Sequence, residues 1–325
     1  MLDSRTKKIL SICIKMSILG MAFWFIFQKL SNNHNLSDFK DLLILLRPKS
    51  VGLILSSLFL LMLLNWLLEA YKWKYLVQKV EIISVWKAIE SVFWGLTWAV
   101  FTPNRIGEYG GRVFFLSPRR RILGVVAMSV GAVGQMVITN VFGSLALFLF
   151  VFRFMDLNPL MNFILGFLVI VYSSFFLLFY FNIQLVDGLL SRIGFLRRYK
   201  RFFSIFSKYK TSDLLKILAF CVSRFFVFTF QYYLIINLLV PEVQVLDMIM
   251  IMFVFYFIQS ALPSLDLLDI GVRATTASYF FSFVTNQEIA IMASIASIWM
   301  INLIIPAILG SVFVLKLKFF GNSNQ

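Results

Sequence analysis

The chain has 325 residues, 60% of them hydrophobic and only 14% charged, and its 30 Lys+Arg against 15 Asp+Glu give a formal net charge of +15. Soluble domains carry about 25% charged residues, so this chain cannot cover a water-facing surface, and its hydrophobicity equally excludes a disordered protein. Cys13 and Cys221 are the only cysteines, both in apolar runs, and His34 is the only histidine. A disulfide scaffold and the usual kind of zinc site are therefore excluded, and no cofactor is expected. An all-α, polytopic membrane helix bundle remains.

Arg5, Lys7 and Lys8 precede an apolar run at about 9–27, long enough to span a bilayer and not followed by a small-residue cleavage site. This predicts a retained first helix. A polar loop leads to a second helix at about 51–68, ending in Glu69-Ala70-Tyr71-Lys72-Trp73-Lys74, where Glu69 is expected to pair with Lys72 at the interface. The next apolar segment, about 82–101, carries Lys87 and Glu90 and stops at Thr102-Pro103. Arg119-Arg120-Arg121 follows too soon for a full return span, so 82–116 is read as a hairpin with a broken second arm. Helices are expected at about 122–152, 160–181 and 214–239, the last carrying Arg224 and Gln231 toward the bundle. A second interrupted hairpin at about 246–283 breaks at Pro263, and a final helix covers about 289–315. The chain thus reads as one membrane domain of two halves, about 1–155 and 156–325, with six spanning helices, two hairpins and a possible inverted repeat.

Basic residues cluster on one set of loops: Arg5, Lys7, Lys8; Lys72, Lys74, Lys79; Arg119 to Arg121; the loop at about 187–212; and Lys316, Lys318. The opposite loops hold Lys29, Lys40, Arg47, Lys49 and Arg153. By the positive-inside rule both termini are expected in the cytoplasm, in a cytoplasmic (inner) membrane. The charge is read as membrane topology, with no nucleic-acid partner. The loop at about 187–212 mixes Phe195, Phe202 and Phe206 with basic residues and reads as an amphipathic segment on an anionic lipid surface.

Charges inside apolar segments are costly and default to functional hypotheses. They gather at the two breaks. In the first, Pro103-Asn104-Arg105-Ile106-Gly107-Glu108-Tyr109-Gly110-Gly111-Arg112 places Arg105, Glu108 and Arg112 on one helical face, with Glu108 set to pair with Arg112. In the second, Asp266, Asp269 and Arg273 follow Pro263, and both breaks contain an acid-x-Gly-x-Arg pattern. Glu90 is a further candidate, either paired with Lys87 or facing the arginines. Asn65, Gln135, Asn140 and Asn302 read as polar groups that join helices. An inverted pair of broken helices meeting near the midplane is a recurring transporter design.

The Pro103–Glu108 run, followed by Arg112 and a hydrophobic stretch, resembles the first signature of the lysylphosphatidylglycerol synthetase transmembrane-domain family. The segment ending Asp269-Ile270-Gly271-Val272-Arg273 falls where that family has its second, glycine-rich signature. Length and helix count are similar too, so the resemblance covers nearly the whole chain. It implies an integral membrane domain associated with lipid translocation. Bifunctional members add a soluble aminoacyl-transferase domain; this chain ends at Gln325 just after its last predicted helix, so lipid aminoacylation is not expected. The second signature also departs from the family's paired glycines and glutamate.

The resulting expectation is a lipid flippase-like transporter rather than an enzyme. Its partner would be a phospholipid or lipid-linked anionic substrate, held by Arg105, Arg112 and Arg273, with Glu108, Asp266, Asp269 and Glu90 in the same polar cavity. The alternatives are an intramembrane transferase on a lipid-linked substrate, with Glu108, Asp266 or Asp269 as general base, and a non-catalytic membrane scaffold.

Overall fold

A computed structural model describes residues 48–99, 102, 106–186, 188, 200–261 and 269–314. The predicted helix at 9–27, Arg105, Asp266 and residues 187 and 189–199 of the basic loop lie outside the described residues, as does the side chain of Asp269. The described chain is helical, with no strand among the described residues. Its elements are α1 (Pro48–Val77), α2 (Val85–Ala99), α3 (Ile106–Val113), α4 (Arg121–Phe154), α5 (Pro159–Phe181), a single turn α6 (Lys200–Phe203), α7 (Thr211–Leu239), α8 (Val245–Ala261), α9 (Asp269–Phe281), α10 (Glu288–Trp299) and α11 (Ile305–Val314). Among the described residues four helices are long and apolar enough to cross a membrane: Ser50–Val77, Pro118–Phe154, Pro159–Phe181 and Glu288–Ser311.

The long helices form a bundle whose two ends are held by polar contacts. α1 and α7 run antiparallel. Arg224 Nε donates to Asn65 Oδ1 at 2.9 Å, Gln231 Nε2 to the Leu58 carbonyl at 3.2 Å, and Tyr75 Oη to Asp213 Oδ1 at 2.6 Å. The Tyr75 end, with Lys79 2.9 Å from Asp213 and the Tyr209 hydroxyl donating to the Leu76 carbonyl at 2.7 Å, is called end I. α4 starts at end I and finishes at end II, where Arg153 lies 2.9 Å from Asp247 and Phe154 packs on Phe283. α5 opens on an Asn158 cap with Pro159 at its first position and returns along α4, its Tyr172 hydroxyl donating to Asn140 Oδ1 at 2.5 Å. Only 11% of its most apolar window is buried, against 78% for Glu288–Ser311, so α5 is the outer helix and α10–α11 the inner one.

α10 and α11 form one continuous element through a wide π-type turn at Met300–Ile304. Pro306 explains the turn: it lacks an N–H and its ring crowds the carbonyl four residues back, which a wider turn relieves. The turn also presents Asn302, whose Nδ2 donates to Gln231 Oε1 at 3.0 Å.

Two helical hairpins fill the space between the long helices. In the first, α2 and α3 fold back on each other so closely that a Cβ on Gly111 would lie 2.5 Å from the Cα of Gly95. Thr102 bridges the gap between the arms, its hydroxyl accepting from the Gly107 N–H at 2.7 Å. The mouth lies at end I, where Glu81 Oε2 accepts the Ser117 N–H at 3.0 Å and Arg120 donates to the Val80 carbonyl at 2.9 Å. In the second, α8 and α9 leave and rejoin end II, where Glu242 accepts from the Thr285 hydroxyl at 2.9 Å and from Gln287 Nε2 at 3.0 Å. Each hairpin is therefore closed by a glutamate just before its first arm, and the two enter from opposite ends of the bundle.

Glu81 yields a pH prediction. Burial alone would raise its carboxyl, but the Ser117 N–H and hydroxyl, then Lys87 and Arg120, outweigh burial and hold it below the usual glutamate range. A depressed folded-state pKa means that its contribution is present above the ordinary glutamate range and lost as pH falls through the lowered value. Thermal unfolding of wild type and Glu81→Gln should accordingly differ at neutral pH and converge on acidification. A constant difference across that window would refute the assignment.

Candidate functional site

The second helix extends about two turns further than its sequence pattern suggests, to Val77 rather than 68. Glu69 and Lys72 are consequently not at an interface: they are 5% and 4% exposed within the bundle. With a rise of 1.5 Å per residue, Glu69 sits roughly 12 Å inside the end of α1, and Arg224 about 20 Å inside the start of α7.

Glu69 is the hub of a buried ion cluster. Arg112 Nη1 donates to its Oε1 at 2.5 Å, while Oε2 receives Arg224 and, at 2.7 Å, Lys72 Nζ. Arg112 also pairs with Glu108, one turn earlier on α3. Arg224 lies over the Trp66 ring, 5.5 Å from its centroid. One carboxylate thus ties together α1, the first hairpin and α7. Arg112 is 3% exposed, and its Nε finds no hydrogen-bond partner among the described residues. An unmet buried polar group of this kind costs about 1–3 kcal/mol, more when charged, so the cluster is completed only by a further acceptor.

The cluster borders a cavity of ≈ 430 Å³. α1 contributes Trp66, Glu69 and Lys72; α3 contributes Glu108, Tyr109 and Arg112; α4 contributes Gly131, Ala132, Gln135 and Thr139. α7 adds Arg224, Phe228 and Tyr232, and the second hairpin adds Tyr256, Gln259, Ser260 and Arg273. Both hairpins therefore line one cavity. Exposed Ala132 and Ser260 belong to its wall, so the cavity reaches the molecular surface partway along the bundle. Among the described residues Lys72, Arg112 and Arg224 share only Glu69 and Glu108 in its wall, and Arg273 adds a guanidinium from the second hairpin. The Arg112 Nε, buried without a partner among the described residues, calls for a further acceptor, which suits this part of the cavity to an anion.

Among the sequence-predicted residues, Glu108, Arg112 and Arg273 line this cavity. Glu90, half-buried on α2, is not part of its wall; Lys87, the neighbour expected to pair with it, lies 3.6 Å from Glu81. Arg105, Asp266 and the Asp269 side chain fall outside the described residues, so of the charged pair in the second acid-x-Gly-x-Arg pattern only Arg273 is placed. Sequence reasoning missed the central part of Glu69, Lys72 and Arg224. Spacing held a signal for them: Asn65, Glu69 and Lys72 recur at i, i+4 and i+7, one polar stripe on an apolar helix. Among the described residues no group of three or more His, Cys, Asp or Glu could hold a metal ion. No protein-family model, curated protein or solved structure matches this chain.

Proposed function

We propose that this protein is a flippase-like lipid transporter that binds an anionic head group in the polar cavity between its two hairpins. The observation that carries the reading is the cavity lined at once by Arg112 of the first hairpin and Arg273 of the second. Guanidinium matches phosphate geometry in a bidentate way, and a cavity reaching the surface away from both ends of the bundle would let a head group enter while its tails stay in lipid. End I carries Lys74, Lys79, Arg119, Arg120 and Arg121, and by the positive-inside rule it faces the cytoplasm, with the first hairpin re-entering from that side and the second from the other. The resemblance of Pro103–Glu108 to the lysylphosphatidylglycerol synthetase transmembrane signature points the same way. Both described cavity carboxylates are already held by cations, which favours binding over general-base chemistry.

Reconstitution in vesicles tests this reading. Wild type should translocate a fluorescent anionic phospholipid. Arg273→Gln and Arg112→Gln should each lose about tenfold or more, the scale of one charge-assisted hydrogen bond. Undiminished flipping by the double variant overturns the mechanism.

A further inference from the structure

We propose that the head group recognised by this cavity carries hydroxyls beside its anion: a phosphate ester of a sugar or polyol. The inference rests on the anion-binding reading above and concerns the neutral part of the same ligand. Beside its charged groups the wall offers the amides and hydroxyls of Gln135, Thr139, Gln259, Ser260 and Tyr232. Both amide atoms of Gln259 are buried without a hydrogen-bond partner among the described residues, and so is Oε1 of Gln135.

These groups discriminate between head-group chemistries. An ionised phosphate or carboxylate only accepts hydrogen bonds, so it can satisfy Arg112 Nε and Gln259 Nε2 but neither amide oxygen. An ammonium group donates to both oxygens but cannot satisfy the Arg112 Nε donor. A hydroxyl both donates and accepts, and several hydroxyls on a phosphate ester meet the guanidiniums and the amides together. The cavity, at ≈ 430 Å³, falls within the range of about 300–1,000 Å³ typical of small-molecule sites and exceeds what a bare phosphate fills.

The test uses the full chain in nanodiscs of zwitterionic lipid and measures binding in two arms. One compares glucose 1-phosphate with inorganic phosphate; the other compares phosphatidylinositol with phosphatidic acid. Hydroxylated ligands should bind about tenfold tighter, the scale of one or two hydrogen bonds to buried amides. Gln259→Leu should abolish that gap, and an unchanged melting temperature of the unliganded variant shows that it is folded. If Gln259→Leu does not fold, Gln135→Leu carries the same comparison. Equal binding of hydroxylated and plain anions overturns this inference and leaves the anion site standing; failure to bind any anion overturns the anion site itself. A gap in the lipid arm supports a lipid head group, whereas a gap confined to the soluble arm supports hydroxyl recognition and overturns the lipid source.

Discussion

Glu69→Gln is expected to destabilise the folded protein by about 3–5 kcal/mol, the usual cost of removing one partner from a buried ion pair. The side chain is 5% exposed and meets Arg112, Arg224 and Lys72 from three different elements. Without it, the buried Lys72 and Arg112 and the part-buried Arg224 retain only Glu108 among the described carboxylates of the cavity. Pairing Glu69→Gln with Arg224→Gln should cost less than the sum of the two single changes, because residues sharing one network are coupled. Thermal unfolding in nanodiscs measures all three variants; strict additivity would remove Glu69 from the hub. A second readout follows from the same geometry. Glu69 competes with any incoming anion for Arg112 and Arg224, so surviving Glu69→Gln protein should gain more thermal stabilisation from an anionic ligand than wild type does.

Two adjacent glycines should behave in opposite ways. Gly111→Ala would place a methyl 2.5 Å from the Gly95 Cα and 3.2 Å from the Trp94 ring, and no rotamer change relieves a clash with backbone. The arms of the first hairpin must separate, which carries Arg112 away from Glu69. We expect a loss of about 2–3 kcal/mol, typical of overpacking, together with loss of transport. Gly110 has nothing within 4 Å of an added Cβ and lies inside the same helix. Gly110→Ala should be neutral or stabilising by up to about 1 kcal/mol through helix propensity. Melting curves and vesicle flipping distinguish the pair; similar behaviour of both variants would show that the hairpin is not held by close backbone contact.

The opposed hairpins bear on how such a cavity could work. Glu81 and Glu242 pin their mouths at opposite ends, while the cavity wall draws from both. A hinge at either mouth would change exposure toward one end without disturbing the other. That arrangement suits alternating access in the proposed transport reaction.

The apolar runs and their breaks determined the membrane class, most helix positions and the hairpin near Pro103, because hydrophobic periodicity and proline chemistry act locally. The same spacing made the Glu108–Arg112 pair legible, since both residues lie on one short helix. Lys72 was legible as a partner of Glu69, three residues away, but the two arginine partners were not. Arg112 and Arg224 are 43 and 155 residues away from Glu69 in the chain, and an arginine in an apolar run is equally consistent with many partners. Likewise, Glu69–Lys74 reads as a helix end because charges ordinarily mark an interface, yet here the helix continues and buries Glu69 and Lys72. Only the packing of α1, α3 and α7 decided that Arg112 and Arg224 neutralise Glu69 inside the bundle, because only tertiary contact brings counter-charges from distant segments together.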